Sequence, residues 1–224
     1  MTELEVVRHP RARALKLSLD PVTGRARLTL PRRAALAPAL AWAQGKAGWL
    51  ADQRARLPKA RPFALGMVVP IGDDEVTIDW SVGPRRAVRR EGDRLVTQGP
   101  LETLPRRVSA WLRREALDLL SRETAEFAAL AGVTVAKVAV GDAKGRWGSC
   151  AASGVIRYSW RLLLAPASVR RATVAHEVAH RVHMNHGPAF HALAAELLGE
   201  DPAAAHAWLR RHGAGLHWIG RSPG

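Results

Sequence analysis

Between His176 and His191 the chain places five of its histidines, beginning with His176-Glu177-Val178-Ala179-His180. Side chains four residues apart on a helix stand on one face about 6 Å apart along the axis, so His176 and His180 can turn both imidazoles toward one metal ion. Glu177 sits beside them, and a carboxylate there can take the proton of a water acidified by that ion. The chemistry this triplet predicts is metal-assisted hydrolysis, with Zn2+ as the ion and Glu177 as the general base.

A catalytic zinc usually takes three protein ligands and keeps a fourth position open, so a third donor is needed. His183 shares the face but lies about 10 Å from His176 along a continuous helix, too far for the three rings to meet one ion. His186 is better placed. With Asn185 leaving the helix in the left-handed region and Gly187-Pro188 beginning the next helix, the chain can fold back and present that ring. The spacing from His176 to His186 is also that of the pattern H-E-x-x-H-x-x-G-x-x-H, with His183 in place of the glycine. Glu196 and Glu200, on or just after the following helix, are the carboxylate alternative. His183 and His191 are expected to surround the ligands or face solvent.

The elements that must position these residues read as an α+β protein. Leu15, Leu17 and Leu19, then Asp20 to Gly24, then Ala26, Leu28 and Leu30 predict a β-hairpin. Pro31 ends it, and Leu36, Leu40, Ala43, Ala47 and Leu50 recur at helical spacing, which predicts a helix to about Leu57. Short β-rich runs over Met67 to Ile71, Glu75 to Trp80, Arg85 to Arg89 and Leu95 to Thr97, separated by Gly and Asp signals, predict a small and mostly antiparallel sheet. After Gly99-Pro100 a long helical stripe runs from Val108 to Leu130 and stops at Gly132. A soft boundary there divides a β-rich N-terminal region, 1–100, from a second domain, 101–224. In the latter, strands are expected over Val133 to Val140 and Val155 to Trp160, and helices over Pro166 to His183, Pro188 to Leu198 and Pro202 to His212. Val174, Val178 and Val182 would line the buried side of the His176 helix.

The chain has 224 residues, 47% hydrophobic and 24% charged, a soluble globular balance. One cysteine makes no intramolecular disulfide, and residues 1–10 carry neither an apolar run nor a cleavage site, so the expected compartment is the cytoplasm. No apolar stretch approaches the roughly 20 residues that span a bilayer. The net charge of +14 is spread over both halves. It fits a nucleic-acid partner, but also the arginine and alanine bias of a GC-rich coding sequence. Cys150 and Tyr158 read first as buried side chains, Tyr158 with the option of a hydrogen bond to a developing oxyanion. The eight tryptophans read mainly as core.

Arg146-Trp147-Gly148-Ser149-Cys150, the strand Val155 to Leu162, His176-Glu177 through His180, and Met184-Asn185-His186 with Phe190 together resemble the YgjP-like and SprT-like zinc metallopeptidases. The resemblance covers nearly the whole chain. It implies a zincin-like metallopeptidase domain around the H-E-x-x-H helix, with His176, His180 and His186 as zinc ligands, Glu177 as catalytic residue, and a peptide or protein substrate. It departs from the family pattern at Ser159, where asparagine is common, and at His191, where an aromatic residue is common. The strand Val155 to Trp160 is expected to hold an extended peptide by edge pairing. Two other functions use the same ion: a phosphohydrolase acting on nucleotides, and a DNA-associated SprT-like protease.

Overall fold

A computed structural model describes residues 4–84 and 86–222. They form two compact units, Met1–Lys59 and Ala60–Gly224, in an α+β arrangement with three mixed sheets and, among the described residues, six α-helices.

In the first unit β1 (Leu4–His9), β2 (Lys16–Leu19) and β3 (Ala26–Pro31) form a sheet in the order β1-β3-β2. The expected hairpin is the antiparallel β2–β3 pair, with Leu17 opposite Leu28. Asp20 closes its turn, its Oδ1 accepting from the amide of Val22 at 2.8 Å. β1 runs parallel to β3. The single helix expected here is two, α1 (Leu36–Gln44) and α2 (Ala47–Ala55). Gly45 caps the first, and the Lys46 amide bonds back to Ala43, a tightened turn that stops the ladder. The break redirects the apolar stripe. Ala39 and Ala43 pack with Leu28 and Leu30, while Trp42 and Trp49, expected in a core, stay 38% and 42% exposed.

The second unit opens with β4 (Val68–Ile71), β5 (Asp74–Ser81), β6 (Arg86–Glu91) and β7 (Arg94–Gln98), ordered β4-β5-β7-β6. β5 and β7 are parallel and the other two pairs antiparallel. Arg85, expected at the start of the third of these strands, lies outside the described residues. The 27-residue helix α3 (Leu104–Leu130) follows. It ends in a Schellman cap: Gly132 at φ +64° bonds to Ala129 O and Val133 to Ala128 O. That cap uses the beginning of the strand expected from Val133, so β8 is only Lys137–Gly141. β8, β9 (Gly148–Cys150) and β10 (Val155–Ser159) make the third sheet, ordered β8-β10-β9.

A 3-10 turn over Trp160–Leu164 leads into α4 (Ala167–Ala179), α5 (Pro188–Leu198) and α6 (Ala203–Leu216). One apolar core runs through this unit. It joins Val69, Ile78 and Leu95 of the four-stranded sheet to Leu112, Leu120 and Phe127 of α3 and to Val174 and Val178 of α4. Two polar anchors cross it. Arg170 of α4 makes a forked pair with Glu123 of α3, both side chains under 9% exposed. Arg161 grips Asp142 and donates to the carbonyls of Leu216 and Ile219, tying the turn before α4 to the end of α6.

Candidate metal centre

His176 lies in the last turn of α4, and His180 caps it with its amide still bonded to His176 O at 3.3 Å. The two rings therefore keep their helical spacing, with centroids 4.9 Å apart. The helix does not continue to His183 as expected. The amides of Arg181, Val182 and His183 bond back to Val178 and Ala179, and this tight turn releases the chain. Val182, expected on the buried side, is consequently 46% exposed. Asn185 does not adopt a left-handed conformation, because no described residue other than glycine has positive φ. The reversal comes from the early helix end and from Gly187, with Pro188 in the first turn of α5.

This path brings His186 back over the helix end. Among the described residues, the group of three or more metal-ligating side chains is His176, His180 and His186, whose ligand atoms all lie within 4.8 Å of one another. Nε2 of His176 and Nε2 of His186 are 3.2 Å apart. Two nitrogens bound at 2.0–2.1 Å to a tetrahedral zinc stand about 3.3 Å apart, so the spacing fits a shared ion. The chemistry of the third ring fits as well. Nδ1 of His180 donates to His183 O at 3.0 Å, which leaves the Nε2 lone pair free to ligate. His183 thus contributes its carbonyl rather than its ring. Glu196 and Glu200 are outside the group, and Glu200 borders a cleft with Pro166 and Ser168 at the opposite end of α4.

Burial favours the neutral form of His176 and His180, the form that binds metal. His176 is pushed down to about 4, first by burial and then by the neighbouring histidines, with His180 and His186 the strongest of them. His180 is lowered mainly by burial, against the pull of the His183 carbonyl. Phe190, 1% exposed, lies with its ring centroid 4.5 to 4.9 Å from all three. It is the apolar wall that fixes their planes. His206 of α6 and His191 of α5 stand one rank further out, 6.0 Å from His176 and 6.3 Å from His186.

Glu177 packs against Gly148 of β9 and is 5% exposed. Burial raises its carboxyl to about 7, and the Arg146 guanidinium opposes the rise. A Cβ on Gly148 would stand 2.6 Å from Glu177 Cγ and 2.7 Å from Cδ. Only glycine leaves room for that side chain, and Gly148 lies in strand β9, not in the turn that its Gly-Ser sequence suggests. Trp147 fixes this strand from outside. It packs on α6 so closely that a Cβ at Gly213 would be 2.6 Å from its Cζ2, and its ring is 5.3 Å from that of His217.

Three other sequence expectations meet the geometry differently. β10 is the central strand, paired to β8 and to β9, so it has no edge to offer a peptide; the edge beside α4 is β9. Tyr158 is core: Thr124 spends its hydroxyl proton on Leu120 O at 2.6 Å, so Tyr158 donates to Thr124 at 3.0 Å and has no proton left for an oxyanion. Cys150 is partly buried, and burial raises its thiol above the ordinary value, which disfavours the thiolate. Gly148 and Phe190 carry structural roles that their positions in the resemblance signalled without explaining.

Compared with protein families, residues 14–212 match the YgjP-like, metallopeptidase domain. The chain belongs to the YgjP-like metallopeptidase family. Comparison with curated proteins and with solved structures gave no match. Membership makes this YgjP-like chain a hydrolase of the metallopeptidase class, with a metal cofactor and a peptide or protein substrate. No helix of the described residues is long and apolar enough to cross a membrane.

Proposed function

We propose that the chain is a zinc-dependent peptidase with a zincin-like catalytic part, in which His176, His180 and His186 hold the ion and Glu177 is the general base. The observation that carries this reading is the convergence of three imidazoles within 4.8 Å one residue from a buried carboxylate. Nitrogen donors favour zinc over magnesium or calcium, which prefer oxygen. When bound, the ion would polarise the scissile carbonyl and make water a stronger acid.

The chain's own residues do the rest. The His183 carbonyl orients His180, and Phe190 keeps the three rings from turning away. Glu177 accepts the proton of the attacking water and passes it to the leaving amine, a transfer worth typically 10²–10⁴ in rate. The substrate lies extended along the outer edge of β9, exchanging backbone hydrogen bonds with that strand. In this reading the second unit, which holds all four site residues, carries the peptidase chemistry, the boundary expected at residue 100 gives way to the one between Lys59 and Ala60 because β4 to β7 share the core of α3 and α4, and the enzyme works in the cytoplasm.

Glu177→Gln is expected to keep the metal and lose at least about 100-fold in peptide hydrolysis, while His180→Ala loses both. A Glu177→Gln protein as active as wild type contradicts the base assignment. Casein and nucleoside triphosphates, each assayed with and without chelator, separate this reading from a metal-dependent phosphohydrolase. The net charge of +14 supports one variant, a DNA-associated protease like the SprT-like enzymes. That variant requires stimulation by single-stranded DNA with a steep loss as salt rises, and unchanged cleavage at low salt removes it.

A further inference from the structure

Of the eight tryptophans in the chain, those exposed among the described residues are Trp42 and Trp49, at 38% and 42%. Both belong to the first unit, which carries none of the three clustered histidines. With Leu17 of β2 and Lys46 they line one open cleft of about 240 Å³. Lys46 stands four residues after Trp42 and three before Trp49, a spacing that puts all three on one helical face. The break between α1 and α2 preserves that face, because Gly45 stays right-handed at φ −62° and ψ −11°. Leu17, which packs against the small core of this unit, anchors the cleft to the sheet.

The unit around the cleft is strongly basic. Residues 1–59 hold twelve Lys and Arg against four Asp and Glu, a net +8 of the chain's +14 in about a quarter of its length. A uniform coding bias toward arginine would spread the charge evenly and does not account for this concentration. Pairing sharpens the contrast. In the second unit Arg89, Arg90, Arg94, Arg113, Arg161 and Arg170 sit on carboxylates, whereas among the described residues of the first unit the ion pair is Arg27 with Glu5. Along residues 36–56, which supply both indoles, Lys46, Arg54 and Arg56 are opposed by Asp52 alone. A polyanion is the complementary partner.

Shape decides between polyanions. An anionic membrane takes up indoles that project into it, but these two are more than half covered and border a hollow, with Lys46 on their shared face. The hollow has about eight times the 30 Å³ that a water occupies in the liquid. It admits a flat ring, and falls short of the roughly 300–1,000 Å³ of pockets that enclose a whole small ligand. A base carried on a strand outside the cleft fits, its ring stacked on an indole while Lys46 meets a phosphate. We propose that the cleft of Trp42 and Trp49 is a stacking site for a base of single-stranded nucleic acid, with the cations of the first unit holding its phosphates. This binding is separate from hydrolysis and does not rest on the peptidase reading.

The experiment measures binding of the full chain, by fluorescence anisotropy, to a labelled oligothymidylate of about 15 nucleotides and to an abasic strand of the same length and charge. The expected result is about tenfold tighter binding of the oligothymidylate at equal salt, with both affinities falling as salt rises. The double variant Trp42→Ala, Trp49→Ala should bind the two strands equally. Trp42→Phe, Trp49→Phe keeps two aromatic faces and should retain most of the preference, and Lys46→Glu should weaken both strands. Equal affinities for the two strands in wild type would overturn the stacking site whether or not the variants fold, as would a preference that the double alanine variant leaves intact. Binding to vesicles of anionic lipid without binding to oligothymidylate would assign the surface to a membrane and overturn it. His180→Ala should bind oligothymidylate as wild type does; a loss there would move the site to the histidine cluster and overturn the assignment to Trp42 and Trp49.

Discussion

Helix α4 delivers His176, Glu177 and His180 on a segment whose neighbours Val174, Ala175, Val178 and Ala179 are at most 1% exposed, whereas His186 arrives on a turn beside Met184, which is 56% exposed. The helix is anchored behind the site by the buried Arg170–Glu123 pair. The turn is held by short backbone bonds and by Phe190 packing against its ring. The difference teaches how such a site divides its labour. Groups that must be placed to within a fraction of an ångström, as Glu177 must be in the proposed role of base, are built into the core. The third imidazole sits where the backbone has room to adjust around an ion.

Three perturbations break or sharpen that contrast, and the largest concerns the anchor. Glu123→Ala leaves Arg170 buried without its partner and is expected to cost about 3–5 kcal/mol, read as a lower urea midpoint. A loss within about 0.5 kcal/mol, the range of an ordinary surface substitution, would mean that α4 is not held from behind. Next comes Gly148→Ala, whose new methyl group overlaps Glu177. Overpacking of this kind costs about 1–3 kcal/mol, and a base displaced by about 1 Å costs on the order of 100-fold in rate. Metal content should stay at the wild-type level, because the triad does not touch Gly148. Metal loss in this variant would show that the two walls of the site are not independent.

The smallest effect is a pH dependence at the anchor of α6. Burial would raise the Asp142 carboxyl, but the hydrogen bonds and charge of Arg161, with Trp160 and Arg113, hold it below 3.8. A carboxyl depressed in the folded state contributes stability that is complete above its unfolded value and disappears as pH falls through the folded one. The difference in melting temperature between wild type and Asp142→Asn should therefore narrow from about pH 6 to about pH 3. A constant difference would show that Asp142 acts through shape alone.

The period-2 stripes of Leu15 to Leu30 and of Val155 to Trp160, and the helical stripe of α3, announced their elements, because each buries one regular face. β1 escaped: its burial does not alternate and it has no inner face, and its parallel pairing with β3 leaves no local signal. β9 escaped for a different reason. Three residues are too few to show a period, and Gly148-Ser149 resembles a turn until the volume of Glu177 explains the glycine. At the metal centre, His176, Glu177 and His180 could be paired by helical spacing alone. The proximity of His186 was anticipated through a turn that the chain builds differently, by ending α4 at Ala179 rather than by twisting Asn185. Which strand offers an edge was not readable at all, since sheet order depends on contacts between residues distant in sequence.

The central claim is that three histidines share one ion. It is tested most directly by elemental analysis of protein purified without an affinity tag, comparing wild type with His186→Ala. About one zinc per chain in wild type and a marked loss in the variant is the predicted result. Full zinc in both would contradict the account by removing His186 from the ligand set; wild-type protein that takes up no metal when zinc is offered would contradict it entirely.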